Sequence, residues 1–402
     1  MKTKLLGRLK NLGPGAVVAA AIVGPGTVTT ASQVGAQFGF TLIWTLIFSI
    51  VATMFLQEMV TRLGIVSRKD LGTAFREQFE NPILKILTII LIVSAIGIGN
   101  AAYETGNIVG GAIGLSTITG MPVQAWGMII GVSAGLLLWF GSYKMLEKVF
   151  VGLIGLMSFS FLITAIVVKP DLGAIFKGAF IPTIPDGGII LIISLIGTTI
   201  VPYTLFLQSS IVQERWKSKE GISESRFDII TSLIVVGIMA SSIIITAAMA
   251  FPLGTQLDNP TEMANQLEPL LGSWAKYVFS IGIFAAGTTS AMTAPLGAAY
   301  AITGVLGWER NLKSIKFRVI WMIIILVGIF FTGLGYSPIQ IIVFSQYANG
   351  LILPIIVLFL LFVMNNRRTL GDNVNKLWIN IVGWVIFAIT LALALLSFDI
   401  LG

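Results

Sequence analysis

At 402 residues, 56% of them hydrophobic and only 11% charged, with a mean hydropathy of +0.94, the chain falls far below the roughly 25% charged content of a soluble domain. That composition belongs in a bilayer and excludes a soluble enzyme, a nucleic-acid-binding module, a disordered scaffold and a secreted disulfide protein. With neither cysteine nor histidine the chain can build no disulfide, thiolate nucleophile, Cys/His zinc site or imidazole base, and its net charge of +7 reads as basic loops beside a membrane.

A transmembrane helix needs about 20 mostly apolar residues, and such runs between charged or Pro/Gly-rich breaks number about eleven. In chain order they cover 12–40, 41–63, 84–118, 122–141, 146–168, 187–213, 227–253, 271–304, 317–336, 338–364 and 375–399. The first run continues past signal-peptide length without a small-residue cleavage pattern, so it is expected to remain as a span. With Lys2, Lys4, Arg8 and Lys10 placed in the cytoplasm and the sides alternated, all of the 25 Lys and Arg residues except Lys169, Lys177 and Lys276 fall inside. The positive-inside rule then puts the N-terminus in the cytoplasm, the C-terminus outside and an odd number of spans across a cytoplasmic (plasma) membrane.

Span 1 is interrupted at Val23-Gly24-Pro25-Gly26-Thr27, and span 6 at Gly197-Thr198-Thr199-Ile200-Val201-Pro202-Tyr203-Thr204. Proline has no amide donor and glycine tolerates non-helical backbone, so carbonyls before each break and amides after it lose their helical partners. In hydrocarbon such breaks survive only against protein or a wet cavity. A broken first helix in each of two five-span blocks is the pattern of inverted-repeat transporters, whose substrate sits at mid-bilayer between the unwound segments. The chain is therefore read as one all-α transmembrane domain over 1–402. Spans 1–5 (12–168) form the first repeat, spans 6–10 (187–364) its inverted copy, and span 11 (375–399) is an addition.

Smaller signals complete the reading. Glu58 stands four residues before Arg62, the spacing of a local ion pair. Glu104, in Tyr103-Glu104-Thr105-Gly106-Asn107, is a candidate for ion binding or proton transfer because intramembrane acids are functional by default; a purely structural buried carboxyl is the other reading. Gly110-Gly111-Ala112-Ile113-Gly114 suits close helix packing. Arg68-Lys69 and Arg367-Arg368 are expected to be solvated topology anchors, and Trp126 and Trp308 interfacial ones.

Several segments, in order, carry a family likeness: Leu12-Gly13-Pro14-Gly15; Leu56-Gln57 with Arg62-Leu63-Gly64 and Asp70-Leu71; Gly197 to Tyr203; Ala285-Ala286-Gly287; Ser345-Gln346 with Leu353-Pro354; and Asn365-Asn366-Arg367-Arg368 with Leu370-Gly371. In these the chain resembles the natural resistance-associated macrophage protein (NRAMP) family of divalent metal transporters, and the fold implied is that of the leucine transporter (LeuT). The chemistry departs from the family pattern. Where the family has Asp-Pro-Gly-Asn in span 1 and Met-Pro-His in span 6, this chain has Gly24-Pro25-Gly26-Thr27 and Val201-Pro202-Tyr203. The resemblance thus implies a divergent member in which Gly24 replaces the metal carboxylate, Thr27 the amide ligand, Val201 the thioether and Tyr203 the histidine near the proton route. A family glutamate of span 3 falls on Asn107 and a nearby acidic position on Glu104, while carbonyls near Thr198 and the span 10 amide Gln346 persist.

A thioether favours soft transition metals, so Val201 removes the expected preference for Mn²⁺ or Fe²⁺, whereas Mg²⁺ keeps several waters and can be held by oxygens in its outer shell. The expected substrate-binding residues are Gly24, Gly26, Thr27, Thr198, Val201, Tyr203 and Gln346. Thr27, Thr198 and Gln346 are the metal candidates, directly or through water, and Glu104 and Asn107 lie on the coupling or ion pathway. The first reading is a secondary transporter moving a hard, hydrated divalent cation such as Mg²⁺, with Mn²⁺ next, by alternating access. The second is a carrier of an amino acid or similar zwitterion, its carboxylate on the amides after Gly26 and its ammonium, or Na⁺, on the carbonyls ending the first half-helices. The third is a non-transporting receptor or partner protein. An enzyme is not expected, since no nucleophile, base and orienting group assemble in the sequence. No cofactor is expected. A coupling ion, H⁺ or Na⁺, stays open beside uncoupled movement, and the partners are the small substrate and the lipid bilayer, without nucleic acid, for a monomer.

Overall fold

The computed structural model describes residues 13–141, 144–218, 221–309 and 311–401; Lys2, Lys4, Arg8, Lys10, Leu12, Lys219 and Arg310 lie outside the described residues. Span 1 forms two helices, α1 (Pro14–Ile22) and α2 (Pro25–Phe38). Both open on proline in the first turn, where a missing amide costs nothing. Span 2 is α3 (Ile43–Ser67), followed by a short α4 (Leu71–Arg76) that Asp70 caps by accepting from the Thr73 amide. Spans 3, 4 and 5 are α5 (Pro82–Thr119), α6 (Val123–Phe140) and α7 (Lys144–Val167), and a connecting α8 (Leu172–Phe180) leads on. Span 6 is again a pair, α9 (Ile189–Thr199) and α10 (Pro202–Arg215). Span 7 is α11 (Gly221–Ala250); a strap of residues 251–274 containing α12 (Glu268–Leu271) joins it to span 8, α13 (Ala275–Leu306). Spans 9, 10 and 11 are α14 (Ile315–Gly333), α15 (Pro338–Met364) and, after a short α16 (Arg367–Leu370), α17 (Leu377–Leu401).

Ten helical stretches among the described residues are long and apolar enough to cross a membrane. The halves of span 1, at 9 and 14 residues, are too short singly and long enough only together. The largest boundary difference is at α11, which starts at Gly221 rather than 227. Its first turns carry Glu224, Arg226 and Asp228, and a hydropathy count cannot see a polar helical turn that serves neighbouring loops.

The Gly110–Gly114 stretch packs as expected. Gly110 rests on Pro25, Gly111 on the backbone of Gly287 and Thr288, and Gly114 on the carbonyl of Ser280. The absence of side chains there lets α5 run close against α2 and α13.

At one end of the bundle the loops after spans 2, 6 and 10 come together, as alternation of sides requires. Glu58 pairs with Arg62 at 3.2 Å and also with Arg226 at 2.6 Å. Arg62 reaches on to the Asn373 carbonyl at 2.8 Å and Asn375 Oδ1 at 2.6 Å. Arg68 is not merely a solvated anchor: it donates to the carbonyls of Gln213 (2.7 Å) and Trp216 (2.8 Å), capping the end of α10. At the same end Asp228 holds the start of α1, accepting from the amides of Gly13 (3.0 Å) and Gly15 (2.8 Å), groups that a helix N-terminus cannot satisfy within itself. Asp228→Ala should therefore destabilise the protein by about 1–3 kcal/mol, with Asp228→Asn intermediate. Thermal unfolding in detergent reads this out, and an unchanged midpoint for Asp228→Ala would show that the anchor contributes nothing.

Candidate functional site

Two prolines set where the first half-helices stop. Pro25 stands four residues after Ala21 and Pro202 four after Thr198, so neither carbonyl has an amide to accept from. Each break leaves only two residues outside helix, Val23 and Gly24 in one and Ile200 and Val201 in the other. The breaks are thus narrower than the motifs suggested. Gly26, Thr27, Thr198 and Tyr203 all sit on helical turns, and helix geometry aims the side chains of Thr27, Thr198 and Tyr203.

The breaks face each other. Thr27 Oγ1 and Thr198 Oγ1 are hydrogen-bonded at 2.8 Å, and Thr27 also donates to the Ile22 carbonyl. A hydroxyl has one hydrogen, so Thr198 is the donor of the pair. Gln346 of α15 lays its amide against Gly26, where a Cβ would have no room. Its Nε2 donates to Ser345 Oγ at 3.1 Å and its Oε1 has no partner among the described residues. Gly197 on the other broken helix abuts the backbone of Gln346 and Gly350. A glycine on each half-helix pair therefore lets α15 close on both. Thr27, Thr198 and Gln346 are at most 1% exposed.

The remaining predicted residues form a second group. Gly24 is extended, and a Cβ there would stand 3.1 Å from Ser290 Oγ, which would have to shift slightly, and 3.9 Å from the Tyr103 hydroxyl. Tyr203 is buried with its hydroxyl unpartnered among the described residues; its ring meets that of Tyr103 edge-on at 5.7 Å and faces Gly297. Val201 contributes an apolar side chain, because its carbonyl already accepts from the Thr204 amide (3.0 Å) and hydroxyl (2.7 Å). Sequence reasoning missed Tyr103, Ser290 and Ser345. Tyr103, Asn107 and Gly110 follow the i, i+4, i+7 rule for one helix face, and a Gly110 assigned to pack on span 1 would have placed Tyr103 beside Gly24.

Glu104 lies one residue, about 100° of helix, away from that face. Fully buried, its Cγ lies near Gly328 of α14, Asn107 Nδ2 donates to its Oε2 at 3.4 Å, and its Oε1 has no partner among the described residues. It makes no hydrogen bond to Thr27, Thr198 or Gln346. Among the described residues no three acidic side chains gather as a metal cluster would require. What the breaks offer is a set of neutral oxygens: two hydroxyls, the Gln346 Oε1 and the carbonyls of Ala21 and Thr198.

A family model described as natural resistance-associated macrophage protein-like matches residues 15–398. The chain belongs to the NRAMP family. It is 31% identical over 407 residues to the divalent metal cation transporter MntH of Staphylococcus aureus (strain JH9), covering 95% of this chain and 89% of that protein. To the divalent metal cation transporter MntH of Klebsiella pneumoniae (strain 342) it is 28% identical over 396 residues, covering 96% and 93%. Among solved structures, the Eremococcus coleocola manganese transporter superposes with a TM-score of 0.77 at 23% identity, over 96% of this chain and 85% of that one. MhsT in complex with L-phenylalanine superposes with a TM-score of 0.63 at 15% identity, over 96% and 97%. The NRAMP assignment makes this a multi-pass membrane protein, and the all-helical LeuT-like architecture that the family resemblance implied is the one observed.

Proposed function

We propose that this NRAMP-family chain carries a divalent metal cation across the membrane by alternating access, preferring a hard, partly hydrated ion, Mg²⁺ ahead of Mn²⁺. The observation that carries the reading is the Thr27–Thr198 hydroxyl pair beside a Gln346 Oε1 that has no partner among the described residues, with glycine and valine where a carboxylate and a thioether would stand. Stripping a divalent ion of water without a compensating charge costs many kcal/mol. Neutral oxygens favour an ion that keeps its waters, and Mg²⁺ does so more than the softer metals. The incoming ion separates the two hydroxyls and takes up their oxygens and that of Gln346, directly or through its waters. Rocking of the surrounding helices about the two breaks opens the pocket to either side in turn. No histidine or carboxylate hydrogen-bonds to the pocket oxygens, which favours movement down the ion's own gradient. The same reading places the N-terminus in the cytoplasm, the C-terminus outside and a monomer in the membrane.

Uptake into proteoliposomes tests it. Mg²⁺ should enter faster than into empty vesicles. Thr27→Val and Gln346→Ala should each slow uptake about tenfold to a hundredfold, the loss of one hydrogen bond to a charged centre being worth about 1.5–3 kcal/mol. Heat stabilisation by an amino acid, with none from millimolar Mg²⁺ or Mn²⁺, would overturn the reading in favour of a zwitterion carrier.

A further inference from the structure

A groove of about 760 Å³ runs between α3, α7 and α11 and ends against α8. Apart from Ser241, Ser242 and Lys169, every residue lining it is apolar, and Ser242 gives its hydroxyl hydrogen to the Ile238 carbonyl at 2.8 Å. Ile47, Ile166, Ile234 and Ile238 in its walls are exposed, so the groove is open to the hydrocarbon around the bundle. Ile234, Ile238, Ser241 and Ile245 form one face of α11, at i, i+4, i+7 and i+11. That run is about 16 Å long, close to half of the roughly 30 Å hydrocarbon core. The groove therefore has the depth of one leaflet, the one on the side away from the basic loops.

Helix α8 marks the headgroup end. It lies on the link between spans 1 and 2: Gly178 abuts the Phe40 carbonyl, and just beyond the helix the Thr183 carbonyl accepts from Trp44 Nε1 at 3.0 Å. Its other face exposes Leu172, Phe176 and Phe180, at i, i+4 and i+8, with the two phenylalanine rings stacked at 6.3 Å. A short helix with an apolar stripe and a lysine beside it is built to lie in the membrane interface. Lys169 lines the groove where it reaches α8, and Lys177 of α8 lines an adjoining cavity of about 540 Å³ that continues along α11 at Ala248. These are two of the three lysines that alternation of sides places opposite the basic loops. Neither side chain makes a hydrogen bond or ion pair among the described residues. The acid next to Lys169 in sequence, Asp171, caps α8, its Oδ1 accepting from the amides of Gly173 and Ala174. An apolar slot one leaflet deep, with two unpaired cations at its interfacial end, is complementary to an anionic amphiphile.

We infer that the groove binds one anionic phospholipid of that leaflet, with an acyl chain between α3, α7 and α11 and the phosphate at Lys169, within the field of Lys177. Such an occupant bears on the two breaks whatever the ion carried. Helix α11 packs through Ile244 and Ala247 on Gly35 of α2, and Thr53 of α3 donates to the Thr199 carbonyl at 3.4 Å. Native mass spectrometry of the purified full chain, titrated in detergent with dioleoylphosphatidylglycerol or dioleoylphosphatidylcholine, tests the site. One phosphatidylglycerol should be retained at a concentration about tenfold below that needed for phosphatidylcholine. Lys169→Gln should weaken its retention about fivefold, the usual contribution of one basic residue to holding an anionic lipid, and adding Lys177→Gln should weaken it further. Lys276→Gln, at the third lysine of that side, exposed and outside both cavities, should change nothing. Gly237→Leu, which sets a side chain into the groove against Ile50, should lower retention of either lipid. The lysines are exposed, so their variants decide the matter even where the glycine variant does not fold. Failure to retain phosphatidylglycerol, equal retention of the two lipids, equal effects of Lys169→Gln and Lys276→Gln, or full retention by folded Gly237→Leu would overturn the site.

Discussion

Gly24→Asp should shift the preference of uptake from Mg²⁺ toward Mn²⁺ by more than tenfold, and adding Val201→Met should shift it further. The pocket as built has oxygens but no formal charge in contact with them, so it cannot repay the dehydration of a divalent ion. An aspartate at position 24 supplies that charge at the break itself, and a thioether at 201 supplies the soft ligand that separates Mn²⁺ from Mg²⁺. The backbone allows the change: Gly24 is extended at φ −104°, open to any L residue, and the nearest atom to a new Cβ is the Ser290 hydroxyl at 3.1 Å, the end of a short side chain that can rotate. Parallel uptake of the two ions by wild type, single and double variants reads the ratio. A ratio that stays constant through the series would mean that selectivity is decided elsewhere along the path.

Gly197→Ala should abolish uptake and lower stability by about 1–3 kcal/mol, the ordinary cost of overpacking. A Cβ there would run into the Gln346 carbonyl and the Gly350 amide of α15. Backbone inside a helix cannot swing aside, so α9 must retreat, taking Thr198 away from Thr27. Gly26→Ala makes the instructive contrast. Its Cβ meets the amide of Gln346, which is the far end of a flexible side chain, so the fold should survive while the pocket loses its α15 oxygen. Melting temperature and uptake measured on both variants separate the cases: Gly197→Ala should lose both and Gly26→Ala only the second. Wild-type behaviour of Gly197→Ala in both measurements would contradict the close approach of α9 and α15.

The course of the chain was legible in advance because hydrocarbon imposes simple rules. Runs of apolar residues between charged or Pro/Gly-rich breaks were enough to find the spans, and Gly24-Pro25 and Val201-Pro202 marked the breaks through the missing amide of proline. The sequence marks Thr27 and Thr198 separately as candidate site residues, and the hydrogen bond between their hydroxyls is what the structure adds. The azimuth of Glu104 was not legible. Both sides of α5 around it are buried against other helices, so the periodicity that separates a wet face from a dry one is absent, and a single residue step decides whether a carboxylate looks at span 1 or at Gly328 of span 9. Arg68 escaped for a different reason: its partners are the Gln213 and Trp216 carbonyls, and backbone acceptors leave no mark in a sequence. The strap escaped likewise, since Gln33 grips the main chain of Leu257 and its loop reads only as a polar link between two spans.

The mutual hydrogen bond of Thr27 and Thr198 has an electrical meaning. Without cargo, Thr198 donates to Thr27 and Thr27 to the Ile22 carbonyl, so the centre carries no charge, and in the proposed cycle a transmembrane voltage does almost no work on it as it reorients. A dication crossing the whole field exchanges about 4.6 kcal/mol per 100 mV. On the divalent-cation proposal, in a cell that is negative inside, the loaded form would be drawn inward and the vacant form would return by thermal motion alone, and a carrier with no companion ion would still accumulate its cargo.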